Sequence, residues 1–234
     1  MLIIPTFNER DNILQLVSRV RSAVPDEPIF FVDDDSPDGT AEVIRGLQTA
    51  DPLIHLAVRR GKRGYGSACR EGMQQILREQ LAPYVIQFDA DLSHPPELLP
   101  HMIELLRNCP VVIGSRYVGG GGTRNWDLRR RFLSYGANLY ARFLTGVPVC
   151  DMTAGFVGYQ AAALQGVNLD QIRSEGYAFL MEMKVNLHRN GAKFSELPIV
   201  FVERESGKSK FNRSIMLEGV RYPWREWKRR VFNR

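Results

Sequence analysis

Short apolar runs alternate along this chain with segments whose apolar residues recur every three or four positions. Residues 2–5, 29–32, 53–58, 84–86 and 111–116 are the runs, each long enough for one buried strand. Between them, Ile13, Leu16, Val17 and Val20 share one helical face, as do Val43, Ile44 and Leu47. Two more helices are expected, one ending near Gln80 and one over 97–106, and Asn8 is placed to cap the first helix. Strands alternating with helices in this way predict an α/β fold, with a mostly parallel central sheet covered on both faces. The pattern changes at Tyr117. Glycines 119–122 read as a flexible loop, 125 to about 143 as a helix, 151–156 as a turn, and 177–190 as a helix with Glu182 inside its apolar face. Residues 194–201 are strand-like but broken at Pro198, 203–211 are polar and loop-like, and 214–232 form a last amphipathic helix. No internal repeat or low-complexity segment occurs.

Composition changes this picture little. The 234 residues are 44% apolar and 24% charged, ordinary values for a globular chain. The net charge of +5 is concentrated late, in Arg221, Arg225, Lys228, Arg229, Arg230 and Arg234. A nucleic-acid footprint needs a dense basic stripe or a recognised module, and neither is present. Cys69, Cys109 and Cys150 have no metal-type spacing and read as free thiols in a reducing compartment. No apolar run approaches the ~20 residues of a spanning helix, and no basic-then-apolar leader is seen, so a soluble, cytosolic body is expected.

The chemistry concentrates where strands end. Asp89 and Asp91 follow the fourth strand and precede a helix, the edge at which open α/β sheets bind ligands. Two carboxylates one residue apart can hold a small hard cation such as Mg²⁺, with substrate phosphates and water completing the shell. The plainer alternative is that Asp91 or Ser93 only caps the next helix, with Pro95 and Pro96 in its first turn. Asp33, Asp34 and Asp35 follow the second strand. Asp34 could accept hydrogen bonds from a ribose or base, although Pro37-Asp38-Gly39 also reads as a simple turn. Pro5, Phe7 and Glu9 end the neighbouring strand and could share that wall. Arg116, Arg129 to Arg131, Arg204, Lys208 and Lys210 are candidate phosphate ligands, arginine because its planar fork donates two parallel hydrogen bonds. No nucleophile elbow, Walker loop or Cys/His metal spacing appears. His94 could line this site, but reads first as a capping or packing residue.

Together these residues carry a resemblance. Ile4-Pro5-Thr6-Phe7-Asn8-Glu9, Val32-Asp33-Asp34, Ser36-Pro37-Asp38-Gly39-Thr40, Gly64-Tyr65-Gly66 and Asp89-Ala90-Asp91-Leu92-Ser93-His94-Pro95-Pro96 look like the inverting glycosyltransferases of the GT-A fold. Gly114-Ser115-Arg116-Tyr117, Asn125-Trp126, Asp151, Gly155-Phe156 and Ser209-Lys210 narrow it to the polyprenyl-phosphate (dolichol-phosphate) mannose synthases. The resemblance implies a Rossmann-like α/β/α catalytic domain over 1–212, with a nucleotide-sugar half at 1–116 and an acceptor half at 117–212, followed by a basic amphipathic helix at 213–234. It implies GDP-mannose as donor, a polyprenyl phosphate as acceptor, and Mg²⁺ or Mn²⁺ on Asp89 and Asp91. Pro5, Phe7, Glu9, Val32 and Asp34 would hold the nucleotide, and Asp89, Ala90 and Asp91 would meet the metal and donor. Arg116 and Arg130 would face phosphates at the reaction centre, while Arg204 and Lys210 would close over the diphosphate. The family often has tyrosine where Phe7 stands, and some members have a glutamine ligand where Ser93 stands. Other donors such as UDP-glucose, or a non-catalytic nucleotide-sugar-binding module, are the competing readings. A lipid acceptor implies peripheral contact with the cytoplasmic face of a membrane, or a membrane subunit. Residues 222–232 mix aromatics with cations as an interfacial helix does, or pack on the body with a solvated basic face.

Overall fold

The computed structural model describes residues 1–61, 63–202 and 213–232, the side chains of 213–216 excepted. The elements run β1 (Leu2–Thr6), α1 (Arg10–Ala23), β2 (Ile29–Asp33), α2 (Thr40–Gln48), β3 (Ile54–Val58), α3 (Tyr65–Arg78) and β4 (Tyr84–Gln87). A 3₁₀ turn (Pro96–Leu98) then leads to α4 (Leu99–Leu106), β5 (Val111–Ser115), β6 (Gly122–Arg124), α5 (Leu128–Thr145), β7 (Val157–Gln160) and α6 (Ala161–Gln165). A second such turn (Leu169–Gln171) precedes α7 (Gly176–Arg189), β8 (Phe194–Pro198), β9 (Val200–Val202) and α8 (Arg213–Phe232).

Seven strands form one sheet in the order β3-β2-β1-β4-β7-β5-β8, and β6 pairs with β9 in a two-stranded ribbon. The sheet separates two cores because alternate strand residues point to opposite faces. Leu2 and Ile4 of β1 join Ile13, Leu16, Val17 and Val20 of α1 on one side. Ile3 joins Met73 and Ile76 of α3 on the other, with Phe179 and Met183 of α7 in the same cluster. Each of these fully buried aliphatic side chains contributes about 1.5–3 kcal/mol of burial. The expected three-layer, mostly parallel architecture is what forms.

Strand β7 was not expected. It lies antiparallel between β4 and β5. Its sequence, Val-Gly-Tyr-Gln, is too short to signal a strand. Gly158 lets α4 approach closely, since a Cβ there would come within 2.6 Å of Leu106 Cδ1. The glycine run is not wholly loop either, because Gly122 opens β6 and pairs with Val200. Asn8 does not cap α1. Its φ is 55° and its N–H donates to Ser36 Oγ. The N–H of Glu9 donates to Thr40 Oγ1 and that of Arg10 to Asp38 Oδ2. The orphan donors at the start of α1 are thus satisfied by the loop after β2, which interlocks the two strand ends that could form a nucleotide wall.

Candidate active site

Strand β1 pairs with β2 on one side and β4 on the other, so the chain order reverses between β1 and β4. A crevice opens beyond the strand ends at such a reversal. Asp89 lies there, two residues past β4. Its Oδ1 accepts from the Tyr65 hydroxyl at 2.8 Å, and that hydroxyl accepts from Gln87 Nε2 at 2.9 Å. Burial, and then the negative charge of Asp89, hold the Tyr65 phenol far above its ordinary pKa, so it remains a donor. The Asp89 N–H donates to His94 Nδ1, leaving Nε2 3.6 Å from Asp89 Oδ2. His94 is buried, stacked on Phe156 at 5.5 Å between ring centroids. It packs as expected, but it also supports the acidic corner and does not cap.

Asp91 Oδ1 accepts from the N–H of Ser93 across a turn made possible by Leu92 at φ 61°. The 3₁₀ turn beginning at Pro96 has no side-chain cap, so neither Asp91 nor Ser93 caps it. Gly155 closes the corner from the far side: a Cβ there would lie 3.1 Å from the Tyr65 hydroxyl and 3.3 Å from Asp89 Oδ2. Among the described residues no group of three or more His, Cys, Asp or Glu forms a closed metal cage. Two half-exposed carboxylates and no soft ligand fit a hard divalent cation that keeps open positions for phosphate oxygens and water.

The proposed nucleotide wall is more buried than its sequence suggests. Val32 and Ala90 are core side chains, packed behind the crevice. Asp33 is consumed locally, accepting from Thr6 Oγ1, Ser36 Oγ and the Ser36 N–H. Asp34 accepts from the N–H of Gly64 at 2.8 Å and lies 2.9 Å from Arg59 Nη1. That ion pair is close but poorly aligned, because Asp34 Oδ1 completes no hydrogen bond. Burial raises the Asp34 pKa, opposed by the Gly64 hydrogen bond and by Arg59. Asp34 therefore orders the loop between β3 and α3. In that loop the Arg63 guanidinium lies 4.6 Å from the centre of the Phe7 ring, a contact that needs no phenolic hydroxyl. Glu9 Oε2 accepts from Asn12 Nδ2. The amino end of α3 is already occupied: the Glu175 carboxylate accepts from the N–H groups of Gly66 and Ser67. A helix start that would otherwise hold a phosphate is neutralised by the protein itself.

Across the crevice, Arg116 is only 9% exposed. Its Nε and Nη2 donate to the two oxygens of Asp151, each at 2.7 Å, and Nη2 also donates to Thr153 Oγ1. Burial opposes ionisation of Asp151, but the Arg116 charge and hydrogen bonds outweigh it and hold the carboxyl below its ordinary value. Arg116 is thus a braced side chain, not a loose surface cation. Arg130 lies near it: its guanidinium is 4.1 Å, and that of Arg116 5.6 Å, from the centre of the Trp126 ring. Asp127 caps α5 by accepting from the Arg130 N–H. Phe201 joins the two sides, 5.8 Å from the His94 ring and 5.6 Å from the Arg116 guanidinium. A cavity of about 320 Å³ opens beside Arg116, lined by Tyr117, Leu128, Arg131, Phe132 and Tyr135 among others. Arg204 and Lys210 lie outside the described residues.

The sequence reading did not assign roles to Tyr65, Glu175, Thr153 or Phe201. Tyr65, inside a quoted motif, was the one open to discovery. Glu175 and Phe201 meet the site only through tertiary packing.

A sequence model of the family described as Glycosyl transferase family 2 matches residues 1–167. The chain is 40% identical over 220 residues to an undecaprenyl-phosphate mannosyltransferase of Micrococcus luteus, covering 94% of this chain and 90% of that one. It is 41% identical over 229 residues to a polyprenol monophosphomannose synthase of Mycolicibacterium smegmatis, covering 97% and 86%. Among solved structures it resembles the glucosyl-3-phosphoglycerate synthase of Mycobacterium tuberculosis in complex with Mn²⁺, UDP and glucosyl-3-phosphoglycerate. The TM-score is 0.67 at 15% identity, over 97% of this chain and 78% of that one, a likeness of fold. The same enzyme with Mn²⁺ and UDP-glucose gives a TM-score of 0.66 at 15% identity, over 98% and 77%.

Proposed function

The chain belongs to glycosyl transferase family 2 and, within it, to the polyprenyl-phosphate mannose synthases; from that premise we propose that it transfers mannose from GDP-mannose to a polyprenyl phosphate with inversion. The observation that carries this reading is the pairing of an open acidic corner with a braced Arg116, linked through Phe201, with Arg130 beside it on Trp126.

Asp89 and Asp91 would hold Mg²⁺ or Mn²⁺, which would supply positive charge to offset the negative charge of a departing nucleoside diphosphate. Tyr65 fixes one oxygen of Asp89, so the orientation of that carboxylate is set in advance. Pro5, Phe7, Glu9 and the loop ordered by Asp34 enclose the nucleotide, with Val32 and Ala90 supporting that wall from the core. Arg204 and Lys210, outside the described residues, remain candidate partners of the diphosphate. A phosphate monoester, with a second pKa near ~6, arrives already deprotonated, so no side chain need act as base. Arg116 and Arg130 hold that anion in line with the sugar's C1. Attack opposite the leaving group forms the new C1–O bond, breaks the bond to the diphosphate and inverts the centre.

The acceptor's hydrocarbon needs a surface. No described helix is long and apolar enough to cross a membrane. Helix α8 packs on the body through buried Tyr222 and the Arg189–Glu226 ion pair. Its outer side still exposes Trp224, Arg225, Lys228 and Phe232. The larger apolar face belongs to α5, where Phe132 is 75% and Phe143 76% exposed, with Leu128, Leu133 and Leu139 beside them. Exposed Arg129, Arg130 and Arg131 flank this face, and the cavity next to Arg116 opens along it. Rings and aliphatics among cations suit an anionic bilayer surface.

The test is a donor panel of GDP-mannose, UDP-glucose and UDP-galactose against a short polyprenyl phosphate, with Mg²⁺, Mn²⁺ or EDTA. Lipid-linked mannose formed from GDP-mannose alone, and only with metal, is the expected product. Transfer from a uridine donor in its place, or binding of nucleotide sugars without any transfer, would reject the reading.

A further inference from the structure

Lys184 lies on α7, is fully buried, and has no part in the reaction described above. Its ammonium donates to the carbonyl of Ala154 at 2.9 Å and to that of Leu180, one turn back on its own helix, at 3.4 Å. Ala154 belongs to the turn that carries Asp151, the partner of Arg116. That turn is held from every side by buried or half-buried groups. From β8, Glu196 accepts from the N–H of Cys150 at 2.8 Å and from the N–H of Asp151 at 3.2 Å. From α5, Asn138 Oδ1 accepts from the N–H of Thr153 at 3.1 Å. Lys184 supplies the complementary hold, a donor to a carbonyl.

We propose that Lys184 is a positioning residue for the acceptor: through the Ala154 carbonyl it fixes the 150–154 turn, and through Asp151 it sets the orientation of Arg116. A buried ammonium is costly, and unneeded for packing, since a methionine would fill the same space. The charged groups facing it are Asp151, Glu196 and Arg116. Losing Lys184 would remove the donor that holds the Ala154 carbonyl, and with it one hold on the turn that braces the arginine meant to receive an anion.

The inference rests on the lipid-phosphate reading of the Arg116 side. Its test uses the full chain with GDP-mannose, a short polyprenyl phosphate and Mg²⁺. Lys184→Met removes both donor and charge, and Lys184→Gln keeps a donor. For Lys184→Met, kcat/KM for the lipid phosphate should fall about tenfold or more, the scale set by misplacing a binding group by an ångström. The KM for GDP-mannose should stay within about twofold, and Lys184→Gln should recover part of the loss; if Lys184→Met does not fold, Lys184→Gln carries the comparison with wild type. Acceptor constants unchanged in the variants, or donor and acceptor constants falling together, would overturn the proposal. The two readings fail differently: wild-type enzyme forming no lipid-linked sugar sinks the acceptor assignment, whereas active wild type with equally active variants sinks only this one.

Discussion

Asp91 and Asp89 are neighbours in the sequence but are held differently. Asp89 is fixed by a side chain from α3 and a main-chain bond to His94, while Asp91 bonds the N–H of its own turn at Ser93. Asp91→Ala should abolish metal-dependent turnover while leaving the fold intact; a near-normal rate with Mg²⁺ or Mn²⁺ would reject it as a ligand. Tyr65→Phe removes one buried hydroxyl and two hydrogen bonds. It should lower the unfolding free energy measured by urea titration by roughly 1–3 kcal/mol and raise the metal concentration needed for half-maximal rate.

Buried charge at this scale sets pH behaviour. Asp151 has its carboxyl pKa lowered by Arg116 from an ordinary value of 3.8, so the stability it contributes is complete above that value and is lost as pH falls through the native one. Lys184 works in the opposite sense. Burial lowers its pKa from 10.5 to about 7, so between those values the unfolded chain binds a proton that the native state does not. Its contribution therefore makes stability rise with pH above about 7. Unfolding midpoints of wild type and Lys184→Met, compared between pH 6.5 and 9.5, should show the variant gaining most at the acid end.

At the scale of elements, α5 and α8 pack against each other yet leave apolar residues facing outward. The Tyr140 hydroxyl donates to the Val220 carbonyl across that contact. Truncation before Tyr222 would remove a buried side chain and confound any membrane assay, so exposed positions are the better probes. The double variant Phe132→Ser, Phe143→Ser should keep its stability within about 0.5–1 kcal/mol, as both rings are exposed. It should lose most of its co-flotation with vesicles containing phosphatidylglycerol, and float no better than wild type with zwitterionic vesicles. Flotation unchanged by these substitutions would reject the α5 face as the membrane contact.

At the scale of the whole molecule, the proposed reading puts donor diphosphate and metal in one corner, so each should tighten the other. Calorimetry should show GDP-mannose binding markedly weakened in EDTA, because the acidic corner would then face the diphosphate with uncompensated negative charge. Equal binding in EDTA and Mg²⁺ would place the diphosphate elsewhere. The α3 amino end is a poor alternative, since Glu175 already fills it.

The sequence by itself determined the alternating strands and helices, the layers they build, and which strand ends carry acids and arginines. Those features are written in periodicity and in residue types at local spacing, which survive without knowledge of the partner surface. Its motif resemblance also reached the family. Other features were decided by the tertiary structure alone: the insertion of β7 between β4 and β5, the capping of α1 by a neighbouring loop, the bracing of Arg116 by Asp151, and the burial of Lys184 beneath that pair. Each depends on groups far apart in the chain, and a hydrogen bond or a desolvated charge acquires its energy only when packing brings its partner within reach and removes the water between them.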